Sequence, residues 1–100
     1  MPTAYVTAPQ DAADDLAERL VTEELAACVN VVDCRSVYRW EGDVVTDDEA
    51  ILLAKTTDDA YDDLAASVER VHTYDVPCVE RFDEDDVAPE FGAWIRDSVA

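Results

Sequence analysis

The chain has 100 residues, 25 of them acidic against only seven Lys and Arg, for a formal net charge of -18. Its length suits one domain, since domains run about 50 to 250 residues, so residues 1–100 are read as a single unit. The charge excludes nucleic acid and anionic membrane surfaces as partners, because both are bound through clustered Lys and Arg. No apolar run approaches the roughly 20 residues that span a bilayer, so the chain is expected to be soluble.

The first element, Thr3 to Ala8, alternates small or β-branched residues with Tyr5 and stops at Pro9, the pattern of a short strand. From Asp11, the residues Ala13, Leu16, Ala17, Leu20 and Val21 recur at helical spacing, and Asp11, Asp14 and Asp15 favour the positive end of the helix dipole. The pattern predicts a helix to about Ala27. Cys28 to Trp40 is rich in Val and ends at the turn composition Glu41-Gly42-Asp43, after which Val44 to Thr56 is extended again. These arms of about 13 residues exceed the usual strand length of about 5 to 6, so the hairpin tip should project past its own sheet.

In the second arm, Ala50 to Ala54 is continuously apolar, which suits a central strand covered on both faces. Thr57, Asp58 and Asp59 then cap a helix whose Tyr61, Leu64, Ala65, Val68 and His72 form one stripe. Thr73 to Pro77 interrupts it, Cys78 to Phe82 is predicted as an edge strand, and Pro89 opens a last helix carrying Phe91, Trp94, Ile95 and Val99. The resulting order β-α-β-β-α-β, with one further helix, is an α+β ferredoxin-like arrangement.

Lys55 is the only lysine. An acidic shell without lysine repels itself in dilute buffer, and salt screens that repulsion, so a cytoplasm of high salt is expected, as in a halophile. The odd set Cys28, Cys34 and Cys78 contains no C-x-x-C pair, which fits reduced thiols in a cytoplasm. Cys28 and Cys34 read as ordinary packing residues, and the run Asp83 to Asp86 as a solvated acidic face lacking the glycine and terminal Glu of a calcium loop.

The segments Thr7 to Pro9 (TAP), Glu24 to Val31 (ELAACVNV), Ser36 to Val44 (SVYRWEGDV), Leu52 to Thr56 (LLAKT) and His72 to Pro77 (HTYDVP) together resemble the CutA family of divalent cation tolerance proteins. Phe91 to Ile95 (FGAWI) is similar to that family's final helix. The resemblance implies a homotrimer similar to the PII signalling proteins, with the long hairpins extending the sheets of neighbouring subunits, and a link to copper and other divalent ions. The family's usual HPYE-x-PE stands here as HTYDVPC, so Thr73 replaces proline and Cys78 the second acid, and Val6 stands where some relatives have cysteine.

His72, the only histidine, has two readings: a helix cap whose ring packs on Tyr74, or a ligand that with Cys78 would suit Cu or Zn. The cleft between subunits that the resemblance implies is assigned Tyr38, Trp40, Lys55 and Tyr74, and the subunit interface Trp40, Glu41 and Trp94. Lys55 is expected to neutralise an anion together with Arg39 or, preferably, to pair with an interface carboxylate. The leading reading is a non-enzymatic trimer of metal homeostasis binding a divalent ion or small ligand. A PII-like anion sensor and a purely structural scaffold are the alternatives. An acylphosphatase-like enzyme is disfavoured because the loop after the first strand, Ala8 to Asp11, has the wrong charge for an anion cradle.

Overall fold

The computed structural model describes residues 1–100. The elements follow the predicted order: β1 (Pro2–Pro9), α1 (Gln10–Thr22), β2 (Cys28–Trp40), β3 (Asp43–Lys55), α2 (Tyr61–Val71), β4 (Val79–Asp83) and α3 (Pro89–Ser98). The four strands form one antiparallel sheet in the order β2-β3-β1-β4, the ferredoxin-like topology. No helix is long and apolar enough to cross a membrane.

Register sorts the strand residues onto two faces. Ala4, Val6 and Ala8 of β1 lie opposite Ala54, Leu52 and Ala50 of β3, and all six are buried beneath α1 and α2 with Leu16, Leu20, Leu64 and Val68. The small alanines let the helices sit close to the sheet, and the leucines fill the space between. On the opposite face stand Tyr5, Val32, Ile51, Leu53 and Phe82, and no element of the chain covers them fully. The apolar run in β3 is therefore covered by helices on one side only, and Ile51 and Leu53 remain half-buried in a single chain. An open, largely apolar sheet face of this kind marks an interaction surface.

The helix predicted to reach Ala27 stops at Thr22. Glu24 takes a left-handed φ of 59°, its N–H bonds the Val21 carbonyl at 3.0 Å, and Leu25 N–H bonds the Leu20 carbonyl at 3.0 Å. This is a Schellman closure with Glu in the position glycine usually fills. It frees Leu25 to pack on the core and lets Ala27 N–H join the sheet through the Lys55 carbonyl at 2.8 Å. Helix α2 begins at Tyr61, after a turn in which Thr57 Oγ1 accepts the Ala60 N–H at 3.2 Å; Asp58, expected to share in the cap, pairs with Arg81 instead. Strand β4 lies one residue later than predicted, which leaves Cys78 just outside it.

Both hairpin arms are 13 residues long, and the turn residues Glu41 and Gly42 have φ of 50° and 87°. Two positive φ values define the turn type whose twist matches paired strands, and they explain the Glu-Gly sequence there. Pairing with β1 ends at Pro9 opposite Glu49, so Asp43 to Asp48 and Arg35 to Trp40 project beyond the rest of the sheet.

Ser67 of α2 is fully buried and its hydroxyl has no hydrogen-bond partner. A desolvated hydroxyl without a partner costs free energy that alanine avoids. Ser67→Ala is expected to stabilise the fold by about 1 kcal/mol, read as a higher urea midpoint with an unchanged slope. A lower midpoint would show that the hydroxyl is satisfied in solution.

Candidate ligand-binding cleft

The α2 helix ends because His72 turns extended, with φ of -68° and ψ of 143°. The segment from Thr73 to Cys78 then crosses to the open face of the sheet, where Tyr74 Oη donates to Glu49 Oε2 at 2.9 Å. A cleft of about 570 Å³ lies between this segment and the projecting hairpin. Tyr38 and Trp40 form its hairpin wall, Tyr74, Asp75 and Cys78 its loop wall, and Glu49 stands between them. Its volume is that of a small-molecule site.

The strand period places Ser36, Tyr38 and Trp40 on the same face of β2, and the tyrosine hydroxyl is anchored on Asp47 of β3. That hydrogen bond holds the Tyr38 pKa above its ordinary value. Burial, reinforced by the bond to Glu49, raises that of Tyr74 much further. Both phenols are thus kept protonated as donors to carboxylates. Burial also pushes the Cys78 thiol up. Hydrogen bonding with Thr7 opposes that shift, and the Glu80 carboxylate, 3.5 Å from the sulfur, adds to it.

His72 is held at both ring nitrogens. Nδ1 accepts the Tyr74 N–H at 3.1 Å, so the ring proton resides on Nε2, which donates to the Thr7 carbonyl at 2.7 Å. The ring packs on Tyr74 with centroids 4.7 Å apart. His72 therefore ties the end of α2 to β1 and sets the course of the cleft-forming segment; its ring bonds β1 rather than the last carbonyls of α2.

The chain matches the family model described as CutA1 divalent ion tolerance protein over residues 3–98. It belongs to the CutA1 family. The divalent-cation tolerance protein CutA of Thermus thermophilus is 40% identical over 95 residues, covering 93% of this chain and 92% of that protein. The crystal structure of CutA1 from Pyrococcus horikoshii superposes with a TM-score of 0.96 at 32% identity, covering 100% of this chain and 99% of that one. A structure titled PII-like protein CutA from Nostoc shares the fold, with a TM-score of 0.97 at 24% identity over 100% of this chain and 98% of that chain.

The family's name directs attention to a divalent ion, yet the residues of one CutA1 chain here do not fit a metal centre. No three His, Cys, Asp or Glu side chains converge at coordinating distance. A metal on His72 would have to displace the hydrogen bond at Nδ1 or remove the proton shared with Thr7 at Nε2. Cys78 lines the cleft, whereas His72 faces a smaller hollow beside α1 with Asp15 and Arg19. The thiol is also disfavoured as a thiolate, the form that binds metal.

Of the residues assigned to the cleft from sequence, Tyr38, Trp40 and Tyr74 line it and Lys55 does not. Lys55 ends β3, and Arg39 lies 11 residues up the paired strand from its partner Cys28, roughly 35 Å away at strand rise. Within one chain the two cannot share an anion. Within the chain, Lys55 Nζ donates to Thr3 Oγ1 at 3.2 Å, and that hydroxyl donates to Glu84. Trp94 stacks on Phe91 at 5.6 Å on exposed α3, while Glu41 and Trp40 occupy the exposed hairpin end.

Glu49 was not singled out from the sequence. It is only 5% exposed, yet it heads the apolar run of β3. The available signal was that position: an acid joined without a break to a buried strand needs a partner.

Proposed function

We propose that this CutA1 protein acts as a homotrimer in divalent-ion tolerance, without catalysing a reaction, and binds a small ligand in the cleft beside Tyr74. The observation that carries the reading is the open sheet face of Tyr5, Val32, Ile51, Leu53 and Phe82, joined to a hairpin that outruns its own sheet. Two such faces bury each other, and a projecting hairpin finds its missing neighbours on another subunit. Trp40 and Glu41 at the tip and Trp94 on α3 would then contribute to subunit contacts. The three free cysteines support a reducing cytoplasm. Copper or zinc would be held at Cys78 only if a second subunit completed the ligand set.

The test is light scattering coupled to size exclusion in about 2 M KCl, a salt level at which surface repulsion is screened, followed by copper and zinc titration of the same peak. A mass three times 11.1 kDa is expected. His72→Ala is expected to leave ion binding unchanged. Loss of stoichiometric binding in His72→Ala would restore the histidine as a ligand, and a mass of 11.1 kDa would overturn the assembly.

A further inference from the structure

The chemical class of the cleft's ligand follows from its walls, given the reading above that the cleft is a ligand site. Three aromatic rings, Tyr38, Trp40 and Tyr74, share it with the carboxylates of Glu49 and Asp75, and this chain brings no Lys, Arg or His to it. From this chain an anion would meet two acids and no basic partner. A calcium ion takes about six to eight oxygens, and no three ligating side chains converge here to supply them. Aromatic faces attract cations through their negative quadrupole, most strongly where water is removed.

Glu49 adds an independent reason. It is 5% exposed, its Oε2 is held by the Tyr74 hydroxyl, and its Oε1 accepts no hydrogen bond although the residue forms part of the cleft wall. The ion pairs of the chain, Arg19 with Glu23 and Arg81 with Asp58 and Asp83, leave Glu49 without a counter-charge. Ser67 Oγ alone is both fully buried and unpartnered in the chain, so Glu49 Oε1 is open to the cleft, where a cation can reach it. We infer that the cleft binds an organic ammonium ion, with its cationic head against Trp40, Tyr38 and Tyr74 and Glu49 as counter-charge.

The experiment is an NMR titration in constant 2 M KCl of ¹⁵N-labelled protein with choline, ethanolamine and 3,3-dimethyl-1-butanol, the last being the neutral isostere of choline. The chain has two indole N–H signals, and Trp40→Leu assigns them. The Trp40 signal is expected to shift saturably with choline or ethanolamine, while that of Trp94, stacked on Phe91 outside the cleft, stays still. The neutral isostere should bind about tenfold more weakly, and Glu49→Gln should weaken ammonium binding about tenfold without moving the Trp94 signal. Which ammonium binds tighter distinguishes a quaternary head from a primary one.

Equal binding of the neutral isostere would make the cleft an apolar pocket and overturn the inference while keeping a ligand site. Undiminished ammonium binding by Glu49→Gln would overturn it as well. No shift with any probe would reject both the ammonium and the cleft, and light scattering on that sample reports separately on the trimer.

Discussion

Raising KCl from about 0.15 M to about 2 M is expected to raise the melting temperature by about 20 °C. Folding gathers a net charge of -18 into a body with a radius of gyration of 14.0 Å, whereas an unfolded chain of this length spreads to about 30 Å. Treated as charge on a sphere, this confinement disfavours folding by about 8 kcal/mol when the Debye length is about 8 Å, and by about 3 kcal/mol when it is about 2 Å. The difference of about 5 kcal/mol is the stabilisation that salt supplies, and each kcal/mol moves the melting temperature of a domain this size by about 4 to 8 °C. Few internal pairs offset the repulsion. The ion pairs involve only Arg19 and Arg81, and Lys55 is spent on a hydroxyl. Calorimetry across the KCl series reads the effect. A flat melting temperature would reject the high-salt reading of the acidic surface.

The second large effect concerns the open sheet face. Leu53→Asp is expected to convert a species of three times 11.1 kDa into one of 11.1 kDa in about 2 M KCl, measured by light scattering. Leu53 faces away from the helices, paired with Tyr5 on one side and Asn30 on the other, and is half-buried in the lone chain. A carboxylate there can stay hydrated in a monomer, so the fold survives. In an assembled trimer it would be buried without a partner in every subunit, and leaving one charge unpaired costs about 3 to 5 kcal/mol. Val21→Asp is the control, because Val21 is exposed on α1 on the other side of the sheet and should leave the mass unchanged. A trimer that tolerates Leu53→Asp would place the subunit contact elsewhere, on the hairpin or α3.

The two experiments are linked through charge. A trimer brings three acidic shells together, so assembly should need salt more than the fold of one chain does. At low salt, dissociation is expected before unfolding.

Much of this architecture was legible in the residues because its causes are local. The helical stripe of Leu16 and Leu20, the alternation through β1, the stop at Pro9 and the Glu41-Gly42 turn each depend on a few neighbouring dihedrals. Arm length alone announced a projecting hairpin, and the period of two put Tyr38 and Trp40 on one face of it. The misplaced end of α1 has no such local cause. Glu24 adopts a conformation that composition assigns to glycine, and the pull on it is tertiary, through Leu25 entering the core.

The sequence by itself determined the order of elements, the overlong hairpin, the acidic shell and the placement of Tyr38 and Trp40 on one strand face, since these follow from periodicity, length and charge. Only the tertiary structure decided that Glu49 meets Tyr74, that both nitrogens of His72 are committed, that Cys78 faces a different hollow, and that Lys55 lies at the far end of β3. Each of those depends on which strands pair and in what register, and register places residues distant in sequence beside one another by cooperative packing that no local pattern encodes.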